Sequence, residues 1–203
     1  MNIGILDTGI GNLKSIIKIL KTLSVNLKLY LINKKFKNFI KLDKLIIPGQ
    51  GSSYNWIKNF LEFDIFQLNK IFLNLPILGI CVGKQIFFNI TEEFNSLNLN
   101  YINGLIKKFF INKKFYKIPH IGWNNVYFLK KHNLLKNFKN FEKFYYSHSY
   151  YLNCEYSEFI YGFSKYNFIF NSIFIKNNLF LTQFHPEKSG ISGINLFYNF
   201  YYW

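Results

Sequence analysis

Gly79-Ile80-Cys81-Val82-Gly83 sets one thiol between two glycines, directly after the apolar run Ile77–Ile80. This is a G-x-nucleophile-x-G elbow with cysteine in place of serine. Such a turn strains the nucleophile's backbone and brings chain close to chain, which is what the glycines permit. A helix starting just after the cysteine aims the positive end of its dipole at the sulfur, an arrangement that favours a thiolate. A thiolate nucleophile needs a base, and the base needs something to orient it. Thr182-Gln183-Phe184-His185-Pro186-Glu187 offers both at the end of a strand-like run. Pro186 is expected to hold the chain extended, so that His185 and Glu187 converge on one point. His185 would hold the proton from Cys81 and return it to a leaving amine, while Glu187 fixes the tautomer. Pro48-Gly49-Gln50-Gly51 reads as an oxyanion loop, its backbone free to turn N–H groups toward a developing negative charge beside the N–H of Val82.

Each motif has a plainer reading. Cys81 alone could be a small buried residue beside incidental glycines, and the His-Pro-Glu segment an exposed turn; the two together favour chemistry. His120 and His148, by their chemistry, read as hydrogen-bonded structural histidines. His132 lies in a Lys-rich loop and is expected to be solvated. Cys154 lacks an elbow and reads as a buried or idle thiol.

The elements that must position these residues follow from periodicity. Ile3–Leu6 is a short apolar run expected as a buried strand, and Leu27–Ile32, Leu45–Ile47 and Ile77–Ile80 are expected as the second, third and fourth strands. Leu13, Ile16, Ile17, Leu20 and Leu23 mark a helix over Leu13–Leu23, and a further helix is expected from Gly83. Strands separated by helical crossovers imply an open, mostly parallel sheet covered by helices on both faces. The second half is more strand-like, over Leu105–Ile111, Asn125–Leu129, Lys143–Tyr151, Phe168–Ile175 and Leu179–Phe184, and Ile191–Tyr202 closes the chain as a helix. The expected fold is α/β with an antiparallel elaboration in the second half, as a single domain over residues 1–203. In such sheets the chemistry gathers at the carboxyl ends of the strands, where both motifs fall.

Composition narrows the class of partner. The chain is 50% apolar and 21% aromatic, which excludes a disordered segment. It contains no Arg and no Ala, and its Lys, Asn, Ile, Phe and Tyr excess has the mark of an AT-rich genome. The formal charge of +15 comes from scattered Lys residues, with pairs at Lys34–Lys35, Lys107–Lys108, Lys113–Lys114 and Lys130–Lys131. Without Arg there is no bidentate reader of phosphate or guanine, so no nucleic-acid partner is expected. The two cysteines form no metal pattern, so neither metal nor cofactor is expected, and a reducing compartment suits them. No leader and no membrane-length apolar run stands out, so a cytoplasmic location without membrane contact is expected.

These motifs, in this order and over nearly the whole length, resemble the class I glutamine amidotransferases. The Asp7–Leu13, Ile118–Asn124 and Tyr146–Tyr151 segments are most similar to the glutaminase subunits of imidazole glycerol phosphate synthases, in histidine biosynthesis. The resemblance implies a thioester on Cys81, with ammonia released and glutamate hydrolysed off. It implies that Gly49, Gln85 and Glu93, with the backbone around His148, Ser149 and Tyr150, hold the substrate glutamine. Asn12, Trp123, Tyr145 and Lys188 match positions facing a (β/α)₈ synthase subunit that receives the ammonia. Glutaminases of this fold serving other pathways lack the Gly-Asn opening and the Pro-His-Ile-Gly-Trp-Asn segment. A non-catalytic partner would not need an intact triad. Two positions depart from the pattern: Gln50 replaces a small apolar residue, and Lys84 stands where Met is common.

Overall fold

The computed structural model describes residues 1–23, 26–36, 42–110, 115–154 and 156–203. The first half alternates strands and helices: β1 (Asn2–Leu6), α1 (Leu13–Leu23), β2 (Lys28–Ile32), β3 (Lys44–Ile47), α2 (Ser53–Phe60), α3 (Ile65–Asn74), β4 (Ile77–Ile80) and a single turn, α4 (Val82–Gln85). The two helices between β3 and β4, α2 and α3, are additions to the elements expected from the sequence. Then come β5 (Phe88–Thr91), β6 (Ser96–Leu97), β7 (Ile102–Lys108), β8 (His120–Phe128), β9 (Glu142–His148) and β10 (Tyr150–Asn153). The chain ends with β11 (Ile160–Tyr166), β12 (Phe168–Lys176), β13 (Leu179–Thr182) and α5 (Gly190–Tyr202).

The main sheet has nine strands in the order β2-β1-β3-β4-β13-β12-β11-β8-β9. β2 through β13 pair in parallel, and the strands from β12 to β9 continue antiparallel. Every residue of β3, β4 and β13 is buried, as expected where helices cover both faces. Helix starts follow local chemistry. Ser52 accepts from the N–H of Asn55 at 3.2 Å before α2, and Asp64 from that of Gln67 at 3.1 Å before α3. Trp56 stacks on Phe60 at 5.1 Å, Phe60 on Phe72 at 5.9 Å, and Phe72 meets Phe87 edge-on at 5.4 Å, which ties α2, α3 and the segment after α4 into one aromatic layer.

The open α/β sheet with an antiparallel elaboration is therefore what forms, with particular differences. The helix expected from Gly83 is only one turn long. The run Lys143–Tyr151 is two strands, not one: β9 belongs to the main sheet and β10 to a second sheet ordered β10-β7-β5-β6, with the break at Ser149. β8 begins at His120, five residues ahead of the expected Asn125, because it pairs with β9 along its length from His120↔His148 to Val126↔Glu142. The expected end of β7 at Ile111, like the Lys113–Lys114 pair, lies outside the described residues.

One contact sets the geometry at the sheet's carboxyl edge. A Cβ on Gly83 would stand 2.2 Å from the carbonyl oxygen of Ile47, so α4 packs backbone to backbone against the end of β3. Gly83→Ala should therefore cost about 1–3 kcal/mol of stability or more, since only backbone can move aside. Urea denaturation checks this, and an unchanged midpoint would contradict it.

Candidate active site

Cys81 follows β4 and caps α4 with φ 51° and ψ −106°, a conformation costly for any residue with a side chain. Its neighbours explain the strain. A Cβ on Gly49 would lie 1.8 Å from the Ile80 oxygen and 2.5 Å from the Val82 nitrogen, and one on Gly79 would meet Gly83 O at 2.7 Å. The loop after β3 thus rests directly on the elbow, with Val82 N beside Gly49. Gly51 takes φ 75° against Ile10, and Gly11 packs on Pro48, so the first Gly-rich turn supports the same loop. The expected donors Gly49, Gln50, Gly51 and Val82 are brought together around Cys81.

β13 runs beside β4 in parallel, with Thr182 opposite Ile80, and the N–H of Cys81 donates to Thr182 O at 2.8 Å. The segment beyond Thr182 therefore arrives alongside the elbow. His185 and Cys81 line one cavity side by side, and His185 Nδ1 lies 2.8 Å from Glu187 Oε1. Both His185 and Glu187 are buried. The other carboxylate oxygen, Oε2, is buried without a hydrogen bond among the described residues, so His185 is the group that offsets this charge. The chain between them is not extended as expected. Pro186–Lys188 forms one 3₁₀ turn with Pro at its first position, where a missing N–H costs nothing. Ser189 locks this turn by donating to His185 O at 2.6 Å and accepting from Tyr145 N at 2.9 Å. α5 presses on it so closely that a Cβ at Gly193 would meet Pro186 O at 1.8 Å.

Two cavities adjoin the sulfur. One of about 250 Å³ is lined by Cys81, Gln85, Glu93, His148, Ser149 and Tyr150 among others, which gathers the expected substrate-holding set except Gly49, a residue that lines the second cavity instead. Glu93 stays in place because one oxygen accepts from both the N–H and the hydroxyl of Ser53, each at 2.7 Å, at the start of α2. The second cavity, about 280 Å³, is lined by Gly49, Gln50, Gly51, Cys81, His185 and Lys188 together with Val82 and Ser147. On the adjoining surface Trp123 is 56% exposed and edge-on to Tyr145 at 6.1 Å, and Lys188 lies over the Tyr145 ring at 5.9 Å. Asn12 stands just before α1, its side-chain nitrogen donating to Ser15 Oγ at 2.7 Å.

Sequence reasoning missed three neighbours of the sulfur region. Ser147 O lies 3.9 Å from Cys81 Sγ and Gln183 Nε2 3.8 Å from it, and Pro119 lines the first cavity. Gln183 lies beyond the end of β13 at Thr182, so no strand alternation marks it, and only its nearness in sequence to His185 points to the site. Cys154 is half-buried past β10, its Sγ 3.6 Å from Asn103 O. His132 is not solvated as expected: it packs against Phe180 and Trp203, and burial lowers its pKa.

His120 and His148 form one buried pair, His120 Nδ1 to His148 Nε2 at 2.9 Å. His148 Nδ1 is 2.7 Å from Tyr150 O, a carbonyl that can only accept, so His148 carries its proton on Nδ1 and takes the His120 proton at Nε2. Burial pushes His120 down to about 4 and His148 well below its ordinary value, the latter helped by His120 and opposed by the Tyr150 carbonyl. His185 behaves oppositely. Burial is the largest influence and disfavours its cation, yet the negative form of Cys81, then the Glu187 carboxylate, raise it to about 10. It therefore adds stability that is complete below its ordinary 6.5 and is lost as pH climbs toward 10. Nitrogen NMR at neutral pH should show His185 doubly protonated and both His120 and His148 neutral with the proton on Nδ1. A neutral His185 ring would contradict this geometry.

Comparison with known proteins agrees with the geometry. Residues 4–202 match the family model described as glutamine amidotransferase class-I. The imidazole glycerol phosphate synthase subunit HisH of Leptospira borgpetersenii is 37% identical over 203 residues, covering 98% of each chain. The protein of the same name from Methanocaldococcus jannaschii is 37% identical over 199 residues, covering 98% of this chain and 97% of its own. Among solved structures, that of PurLQS from Thermotoga maritima superposes with a TM-score of 0.75 at 15% identity, covering 99% of this chain and 97% of the other, a likeness of fold. A strained cysteine elbow backed by a buried His–Glu pair on an open α/β sheet, matched end to end by these relatives, makes this chain a member of the class I glutamine amidotransferase family.

Proposed function

We propose that this chain, as a single amidotransferase domain, is the glutaminase subunit of an imidazole glycerol phosphate synthase in histidine biosynthesis. It hydrolyses L-glutamine and hands the ammonia to a (β/α)₈ cyclase subunit, which makes the imidazole glycerol phosphate. The full-length relatives carry that subunit's name, and the observation that carries the chemistry is the buried His185–Glu187 pair, joined at 2.8 Å and set beside Cys81.

The thiolate of Cys81 attacks the side-chain amide carbon of glutamine, and the carbonyl electrons move onto oxygen. Val82 N–H and the Gly49–Gly51 backbone are the donors for that oxyanion. As the intermediate collapses, His185 gives its proton to the leaving nitrogen, releasing ammonia and leaving a thioester on Cys81. His185, now neutral, takes a proton from water, which attacks the thioester and frees glutamate. Glu187 keeps the imidazole oriented and favours its protonated form. The substrate's α-ammonium is assigned to Glu93, with Gln85 and the backbone of His148, Ser149 and Tyr150 enclosing the rest of the amino acid. Trp123, Tyr145 and Lys188, beside the second cavity, and Asn12 form the face for the barrel, so ammonia leaves where the partner docks. No helix among the described residues is long and apolar enough to cross a membrane. The free thiol at Cys81 suits the reducing cytoplasm, where we place the protein.

Cys81→Ala should abolish glutamine hydrolysis without loss of fold, and His185→Ala should lower kcat by roughly 10⁴-fold or more. Glu187→Gln should be milder, because it weakens the orientation of a base that remains. Near-normal turnover by His185→Ala would send the search for the base back to His148 or His120. Turnover should also depend on the partner: alone, with the empty barrel, and with the barrel plus its nucleotide, the rate should rise by about 5- to 150-fold in total. Lys188→Ala and Asn12→Ala should weaken this activation more than the basal rate. Equal rates in all three conditions would refute gating and leave the triad standing.

A further inference from the structure

Lys84 lies on α4, three residues beyond the nucleophile, and its side chain is fully buried, with 0% exposure. Its Nζ donates to Gln183 Oε1 at 3.0 Å and to Asn171 O at 3.1 Å. Both acceptors are uncharged, which is an unusual setting for an ammonium. An ammonium can only donate, so the Gln183 amide must turn its oxygen toward Lys84. Its nitrogen is thereby directed to Cys81, where Nε2 stands 3.8 Å from Sγ. Gln183 is itself fully buried, so no water competes for either end of the amide. As a thiol, Cys81 can donate to Ser147 O at 3.9 Å; as a thiolate, it can accept from Gln183.

We infer that Lys84 is a positioning residue for the nucleophile: it fixes the Gln183 amide as an N–H donor to the sulfur of Cys81 and adds a buried positive charge, both of which favour the thiolate. The proposal rests on the reading of Cys81 as nucleophile. The charges around Lys84 agree with it. Burial lowers Lys84 to about 7, and the negative forms of Cys81 and then Cys154 are what oppose that fall. Across from it on β9, His148 is kept neutral in part by Lys84, while His185 supplies the other cation at the sulfur. Attraction between Lys84 and Cys81 is reciprocal: the thiolate that supports a buried ammonium is supported by it.

Iodoacetamide alkylation of the whole chain, followed across pH and mapped by peptide mass spectrometry, reads the thiolate at Cys81 without relying on turnover. Lys84→Met should move the midpoint for Cys81 alkylation upward by about 1 pH unit or more, as loss of a nearby opposite charge does. Gln183→Glu keeps an acceptor for Lys84 but removes the donor to sulfur, and should move the midpoint in the same direction even if Lys84→Met proves too unstable to purify. A Lys84 that served packing alone would lower the urea midpoint and leave the alkylation midpoint where it was, and that result in either variant would overturn the proposal. Wild-type protein alkylated at Cys154 but never at Cys81 would instead overturn the nucleophile reading, and the proposal with it.

Discussion

The ends of β3 and β4 come together with no room for a side chain between them, and the site is built on that contact. Gly49 and Gly83 each place a hydrogen where any Cβ would sit about 2 Å from a carbonyl oxygen of the other segment, 1.8 Å from Ile80 O and 2.2 Å from Ile47 O. The residue caught in the turn, Cys81, has to adopt positive φ. Its strain is stored locally and borne by the buried strands around it, every residue of β3, β4 and β13 being out of solvent. The same contact sets Val82 N beside the Gly49–Gly51 loop, so the thiol and the backbone proposed to hold the oxyanion have a common structural origin. Parallel pairing of β13 with β4 then delivers His185, because the two chains leave the sheet side by side.

A second device joins the two sheets. β9 and β10 are continuous in sequence apart from Ser149, yet they pair in different sheets, and the wall of the first cavity is made at that break. The His120–His148 pair spans β8 and β9 and ends on Tyr150 O, so the backbone at the break is held from the strand that also carries Trp123. Burial keeps both rings neutral, which makes them directional hydrogen-bonding groups with one tautomer each and unsuited to serve as the base.

Legibility in the sequence followed how local each cause is. The elbow and the His-Pro-Glu segment are short runs in which residue type and spacing carry the chemistry, so Cys81, His185 and Glu187 could be named before any fold. Buried parallel strands announce themselves as unbroken apolar runs, and Leu13–Leu23 as a helix, because one face of each is enough to define it. What escaped depends on distant pairing. β8 extends back to His120 only because β9 is there to accept it, and Gly122 at φ 131° hides the strand in its own sequence. Lys143–Tyr151 reads as one strand, since nothing in its alternation reveals that Ser149 changes sheets. His132 looks solvated beside Lys130 and Lys131, yet Phe180 and Trp203, far along the chain, enclose it. Lys84 stood out as a departure from pattern, but its acceptors, Gln183 and Asn171, lie 99 and 87 residues away.

In the proposed reaction the strained thiol between two backbone-packed glycines forms a covalent intermediate while the buried His185 shuttles its proton. Acid quenching during glutamine turnover, followed by peptide mass spectrometry, tests it most directly. A glutamyl thioester is expected on the peptide containing Cys81, accumulating when the attacking water is made scarce. Steady turnover with no adduct on Cys81, or an adduct on Cys154 alone, would contradict it.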